Sequence, residues 1–531
     1  MFPALDKELK FGYLKNGSLV CATSAAEEKV LEELLARGKT NGVKNLRIVD
    51  QAEVRRMEPH INANVTKALH AADAGTVTPY EFAIALCESA ADNGVDVRIR
   101  HEVVGIERNI FNKVFTVSCL DWDPALGADG KGNLKGVAAF PFAVIAASLL
   151  GVLSSWLFRQ ERQAQGLALA LLGLALFCHA IIQTRLPPRG RSEAGTRAGA
   201  VHATLAFAPG NAGRMVEFQA RFVVNCAGLF ADKVAAMADD HSFKIKPRLG
   251  DYLLLHKNQG HLARHTLFPC PDPKLGKGVL VQTTLWGNLI LGPTARDTYD
   301  DKALKMSDKE VFEYILRKCR ELVPALDAGE VIHSFCGARA KSDRGDWIIE
   351  QSAHVPGLFH AAGIDSPGLA GSPAIALEIV RLLKEAGLEC VPEPKFDPVR
   401  RPLVVPKNGW KTRDGKNIKV WKEGQKPGDV PADQNVLCKC EKVTELEITN
   451  ALRSSLVVDN TQAVRRRTRA GMGHCQAGEH PHCEQRVAEL IAREKKIQLA
   501  NVGRRPWPAT SLLPQRWLSD EQKAWFRDLV K

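Results

Sequence analysis

Residues 361–376 read AAGIDSPGLAGSPAIA, and their punctuation is the strongest local signal in the chain. The apolar run at 358–362 reads as a strand and 373–386 as a helix. Between them stand Gly363, Gly368 and Gly371, residues that let a backbone approach a flat ring closely. A helix opening near Ser372 would aim its first N–H groups at negative charge. Taken alone, the pattern is also that of an ordinary strand–turn–helix connection. Its surroundings must decide.

Upstream, Ser24 with Glu27 forms a capping pattern before an apolar stripe that Gly38 ends, and a second helix fits 80–93. An alternating strand follows at 95–100, then β-rich sequence to 117. Strands are expected at 222–225, 252–256, 278–283 and 288–292, the last two as a hairpin. A helix at 308–322 precedes strands at 332–336 and 347–350. This mixture predicts an α+β or α/β unit of enzyme size.

The composition is that of a folded protein: 531 residues, 45% hydrophobic, 25% charged and 6% aromatic, which excludes disordered and collagen-like classes. Net charge is 72 − 60 = +12, but the excess is local, with six Arg against two Glu in 136–200 and more basic residues in 392–435. No single basic face follows, so nucleic acid is not an expected partner. Nine of the 13 cysteines are scattered singly through apolar sequence, and no basic-then-apolar opening occupies 1–20. Both features predict an intracellular, reducing location, at a membrane or else cytoplasmic or mitochondrial.

The segment 121–205 does not match its neighbours. It carries 22 uncharged residues at 137–158 and 17 more at 166–182, with basic residues outside both ends. These runs suit a transmembrane hairpin with both ends on the cytoplasmic side. They also suit a buried helical hairpin or a translated intron. Residues 392–435, rich in proline and charge, read as a linker, 436–494 as a small module, and 495–531 as a tail. The remaining 1–120 and 206–391 form one discontinuous domain.

The last four cysteines cluster as Cys438-x-Cys440, then 34 residues, Cys475, seven residues and Cys483. Four soft ligands in one small helical module suit an iron–sulfur cluster or a structural zinc, and the spacing leaves the metal open. VLCKCEKVTELEI at 436–448 and RRRTRAGMGHCQAG at 465–478 resemble the [2Fe–2S] module of bacterioferritin-associated-ferredoxin (BFD) type. That module ends in C-x4-C. Here the fifth residue after Cys475 is His480, and Cys483 comes three positions later. Cys483 is the favoured fourth ligand and His480 the alternative.

The larger unit resembles FAD-dependent oxidoreductases of the D-amino-acid-oxidase superfamily, glycerol-3-phosphate dehydrogenases among them. NGSLV at 16–20, RFVVNCAGLFAD at 221–232, KPRLGDYLLL at 246–255, GARAKSDRGDWIIE at 337–350 and the opening stretch carry the likeness. It implies an FAD/NAD(P)-binding-like α+β fold with a mixed-sheet substrate domain. It also implies that Gly363, Ile364, Ser366, Gly368 and Leu369 line the flavin, with Val103, Ala227 and Gly228 near the adenine and pyrophosphate. Arg339, at the family's G-x-R-P position but followed by Ala340, would grip an anionic substrate through its planar fork. Arg248 and Lys341 are weaker second cations. His333, an even offset away on the same strand face, is a candidate base or a satisfied core histidine. Relatives open with a strand and G-x-G-x-x-G turn that hold the pyrophosphate. None of the three G-x-G pairs here, at 130, 276 and 471, completes that motif, so the chain is expected to start inside the family fold.

The implied reaction is oxidation of a small anionic alcohol, glycerol 3-phosphate or a 2-hydroxy acid such as 2-hydroxyglutarate, by hydride transfer to FAD. Electrons would leave through the [2Fe–2S] cluster to an acceptor, with quinone as the candidate if the hairpin is real. Two other readings stay open: a non-catalytic paralogue acting as an iron–sulfur or membrane-bound subunit, and an amino-acid oxidase of the same superfamily.

Overall fold

A computed structural model describes residues 1–122, 214–271, 278–297, 302, 307–404, 407, 410–411, 414–420, 422, 424–426, 428–477 and 482–505. The substrate half is a nine-stranded mixed sheet. Its long strand Ile245–Leu255 pairs antiparallel with Val331–Ser342 along nearly its full length and, further along, with Leu289–Gly292. The expected hairpin is present, with Leu280–Thr283 antiparallel to Leu289–Gly292. Thr266–Pro269 then joins Ser18–Ala22 in parallel, and Lys67–Ala71 and Leu46–Asp50 complete the sheet. Helix Lys309–Leu322, with Asp308 accepting at its N-cap from the Val311 amide, buries Ile315, Cys319 and Leu322 against Leu253, Val281 and Leu291.

A smaller sheet pairs Leu358–Ala362 in parallel with Val223–Asn225 and antiparallel with Ile348–Gln351. Helix Gly368–Glu385 covers it through Ile375, Ile379 and Leu383, packed on Phe359 and Ala361. Beneath lies a buried polar knot: Asp240 takes hydrogen bonds from Ser352 (2.5 Å) and His360 (3.0 Å), and Asn225 meets the other ring nitrogen of His360.

The alternating residues at 95–100 are not a strand. Arg100 has φ +63, which no strand tolerates, and pairing begins at His101–Arg108. Strand Phe115–Asp121 pairs in register with Arg214–Ala220, so Asp121 faces Arg214 where the apolar insert leaves and re-enters the fold. The runs 137–158 and 166–182 lie outside the described residues. Among the described residues no helix is long and apolar enough to cross a membrane. The stretch read as a linker is partly built in: Lys419–Val420 pairs with strand Asn435–Cys438 and Arg400 bonds Glu88. The C-terminal module packs helices Glu445–Leu452, Thr461–Thr468 and His482–Lys495 around Ile448, Val464, Val487 and Ile491.

Candidate functional site

Antiparallel register assembles one open sheet face. Arg248 pairs with Arg339, Gly250 with Gly337, Tyr252 with Phe335 and Leu254 with His333, so all eight residues lie on one side with six side chains between them, and Lys341 continues the row. Arg339 lies across Gly250, where a Cβ would come within 2.8 Å of its Nη2. It donates to the Thr294 carbonyl at 3.0 Å and also reaches the Tyr252 hydroxyl. Tyr252 stacks on Phe335 at 4.8 Å between centroids, and Phe335 is 42% exposed. A Cβ on Gly337 would meet nothing within 4 Å, which leaves a bare floor between the aromatic pair and Arg339.

The buried Asp251 buttresses this face from behind. Arg296 grips it with two 2.9 Å hydrogen bonds, and Thr294 and Ser307 also donate to it. Burial opposes its charge, but the hydrogen bonds from Arg296, Ser307 and Thr294 win and bring its pKa down to about 2. Thr294 therefore ties Arg339 to a fixed negative charge. Arg248 is turned aside toward Asp297 at 3.6 Å. His333 stands six residues from Arg339, about 20 Å of extended chain. Desolvation and then the charge of Arg465, from the C-terminal module, lower its pKa. That separation argues against His333 as the base for a substrate anchored at Arg339.

Strands Leu358–Ala362 and Val223–Asn225 run parallel, so Gly363 and the Ala227–Gly228 pair emerge at the same end, where ligands of such sheets bind. Gly363 has φ +65, and a Cβ there would strike Ser342 at 2.7 Å. The helix begins at Gly368, not near Ser372, because Gly368 already donates to Asp365 (2.7 Å) and Gly371 to Pro367 (3.1 Å). The outward-pointing amides thus belong to the turn that carries Leu369, while Ser372 is buried inside the helix. Ile364 packs on Gly368, Ser366 is exposed, and Leu369 joins Leu5, Leu9, Phe11 and Phe82. Val103 is a buried member of the core between its sheet and helix Ala231–Ala236.

The four C-terminal thiols come together as two pairs. Cys440 and Cys475 have their sulfurs 3.6 Å apart. Cys438 accepts from Cys483 and from the Gly471 amide at 3.3 Å, so it is the thiol of its pair that loses a proton first. The Cys483 pKa is pushed well up by the Cys438 hydrogen bond and by burial. Gly473 presses against the loop, since a Cβ there would fall 2.3 Å from that of Cys440. Among the described residues no three His, Cys, Asp or Glu side chains close on a single metal position. His480 lies outside the described residues.

The family model for FAD dependent oxidoreductases (DAO) matches residues 1–148 and 139–382. The chain belongs to this FAD-dependent oxidoreductase family. Residues 436–493 match the BFD-like [2Fe-2S] binding domain. A glycerol 3-phosphate dehydrogenase of Caloramator mitchellensis is 32% identical over 502 residues, 94% of this chain and 82% of that protein. A glycerol 3-phosphate oxidase of Mycoplasma genitalium is 33% identical over 168 residues, 32% of this chain and 44% of that protein. Among solved structures, an L-alpha-glycerophosphate oxidase of Mycoplasma pneumoniae with FAD bound shares the fold. Its TM-score is 0.52 at 22% identity, over 74% of this chain and 78% of that one.

The cofactors are FAD and a [2Fe–2S] cluster, and the residues present fit both. Gly228, at φ +56, and Gly337 leave open space where any side chain would intrude, and the first turn of helix Gly368–Glu385 offers backbone donors. Two pairs of soft thiols match a two-iron cluster, which needs two ligands on each iron. Sequence reasoning missed Tyr252, Phe335, Thr294 and Asp251. Asp251, a carboxylate inside an apolar strand, was the available signal, since buried charge implies a partner. Thr294 carried none.

Proposed function

We propose that this chain oxidises the secondary alcohol of glycerol 3-phosphate and sends the electrons out through its iron–sulfur module. One observation carries the reading: Arg339, fixed by Thr294 and Tyr252 over Gly250, offers a planar cation on an open face. A guanidinium so held suits the two oxygens of a phosphate. Phe335 and Tyr252 form an apolar wall that keeps water from the alcohol carbon. The backbone donors after Gly363 suit the charge that gathers on a reduced isoalloxazine edge. Bound FAD supplies the hydride acceptor. Cys438 with Cys483, and Cys440 with Cys475, are the ligand pairs this reading assigns to the two irons. A quinone acceptor at a membrane is supported by the apolar runs at 137–158 and 166–182.

The test is anaerobic spectroscopy of the purified chain with glycerol 3-phosphate, 2-hydroxyglutarate or an amino acid. Bleaching of flavin and cluster bands by glycerol 3-phosphate alone is the expected result. Bleaching by 2-hydroxyglutarate or an amino acid in its place would assign a different substrate, and no flavin band at all would remove the catalytic reading.

A further inference from the structure

The module meets the flavin domain through helix residues such as Arg467, which pairs with Glu88, and also through the loops that carry its thiols. Glu441 directly follows Cys440, and its side chain is only 4% exposed. Lys257, at the end of the substrate sheet, reaches it at 2.9 Å, and Arg469 of the module donates at 3.0 Å. The Arg469 guanidinium then continues into the flavin domain, lying 4.7 Å from the Trp286 ring centroid and beside Tyr80 and Glu81. Met472 accepts from the Tyr80 hydroxyl at 3.4 Å. His474, which precedes Cys475, sets its ring edge-on to His256 at 5.3 Å and lies 3.9 Å from the Cys440 sulfur.

Arg469 is also one of ten non-glycine residues at positive φ among the described residues. It caps helix Thr461–Thr468 in the left-handed conformation at φ +67, a position that favours glycine. An arginine at such a site carries a local backbone cost that glycine would not.

We propose that Arg469 is a positioning residue that seats the thiol loops on the flavin domain, fixing the cluster against the substrate sheet as the internal electron acceptor. This rests on the reading that electrons leave through the module. When bound, the FAD would take up two electrons and the cluster held by the four thiols would pass them on singly to an external one-electron acceptor; the part of this chain's own residues is to hold the thiol loops against the flavin domain. Among the described residues His256 and His474 form a ring–ring contact across the junction.

Arg469→Gly separates docking from folding, because glycine suits φ +67 and leaves the helix cap intact. In the holoenzyme, iron per chain and flavin bleaching by glycerol 3-phosphate should match the unaltered protein. Cluster reduction by the substrate-reduced flavin, followed by electron paramagnetic resonance, should slow about tenfold or more, as loss of one desolvated charged contact warrants. Hydrogen exchange at 284–288 and 439–442 should rise together. Lys257→Glu should do the same by repelling Glu441, and Lys257→Arg should restore both readouts. Unchanged exchange and unchanged cluster reduction in Arg469→Gly would overturn the proposal. If glycerol 3-phosphate bleaches nothing in the unaltered enzyme, the substrate reading fails, while the exchange measurement still judges the docking.

Discussion

Arg339 owes its position to a glycine on the neighbouring strand. Gly250 leaves the room the guanidinium occupies, and Thr294, tied to Asp251, holds it there. Arg339→Lys keeps the charge but not the fork, and KM for glycerol 3-phosphate should rise about tenfold or more with kcat less affected. Gly250→Ala should copy much of that effect by pushing the guanidinium aside, without touching charge. Steady-state dye reduction checks both. An unchanged KM in Arg339→Lys would remove Arg339 as the anion anchor.

The turn at Gly473 and the sheet holding His360 make predictions about whole elements. Gly473→Ala would drive a methyl into Cys440, so iron per chain and visible absorbance should fall while the flavin domain stays folded. His360 is wholly buried, and desolvation lowers its pKa despite the Asp240 carboxylate beside it. The folded protein therefore binds fewer protons than the unfolded chain below the ordinary histidine value. Stability is complete above about pH 6.5 and is lost as pH falls through the window below it. Asp240, held well below the usual carboxylate range by Ser352, Ser242 and His360 against the opposing pull of burial, adds a further loss at lower pH. Urea midpoints at pH 7.5 and pH 5 should differ in the natural chain, and His360→Gln should shrink that difference.

Glu88 joins the molecule's parts. It sits in helix Pro79–Asp92, is 4% exposed, and takes Arg400 from the connecting segment and Arg467 from the iron–sulfur module. Removing the charge leaves two nearly buried guanidinium groups unneutralised, a loss of about 3 kcal/mol or more. Glu88→Gln should thus lower the module's melting transition and split it from that of the flavin domain in calorimetry. A single transition at the natural temperature would show that other contacts hold the module. The last described residues on either side of the apolar insert lie near paired strand ends, Asp121 and Arg214.

Local chemistry made much of this legible beforehand. Period-two alternation marked the strands, Asp308 and Ser24 marked helix starts, and the thiol spacing marked the module, because each signal is carried by neighbours in sequence. The same local rules failed at Arg100, whose left-handed backbone no residue pattern announces, and at Ser372, where the turn's own hydrogen bonds open the helix four residues early. Resemblance pointed to Arg339 and to the flavin turn. It could not place Tyr252 against Phe335, Thr294 under Arg339, or Arg469 over Trp286. Those contacts join segments tens to hundreds of residues apart, and only strand register and docking bring them together. Element type and ligand chemistry are thus written in short stretches of residues, whereas the geometry of the site belongs to the folded chain, since distance in space is not a function of distance along it.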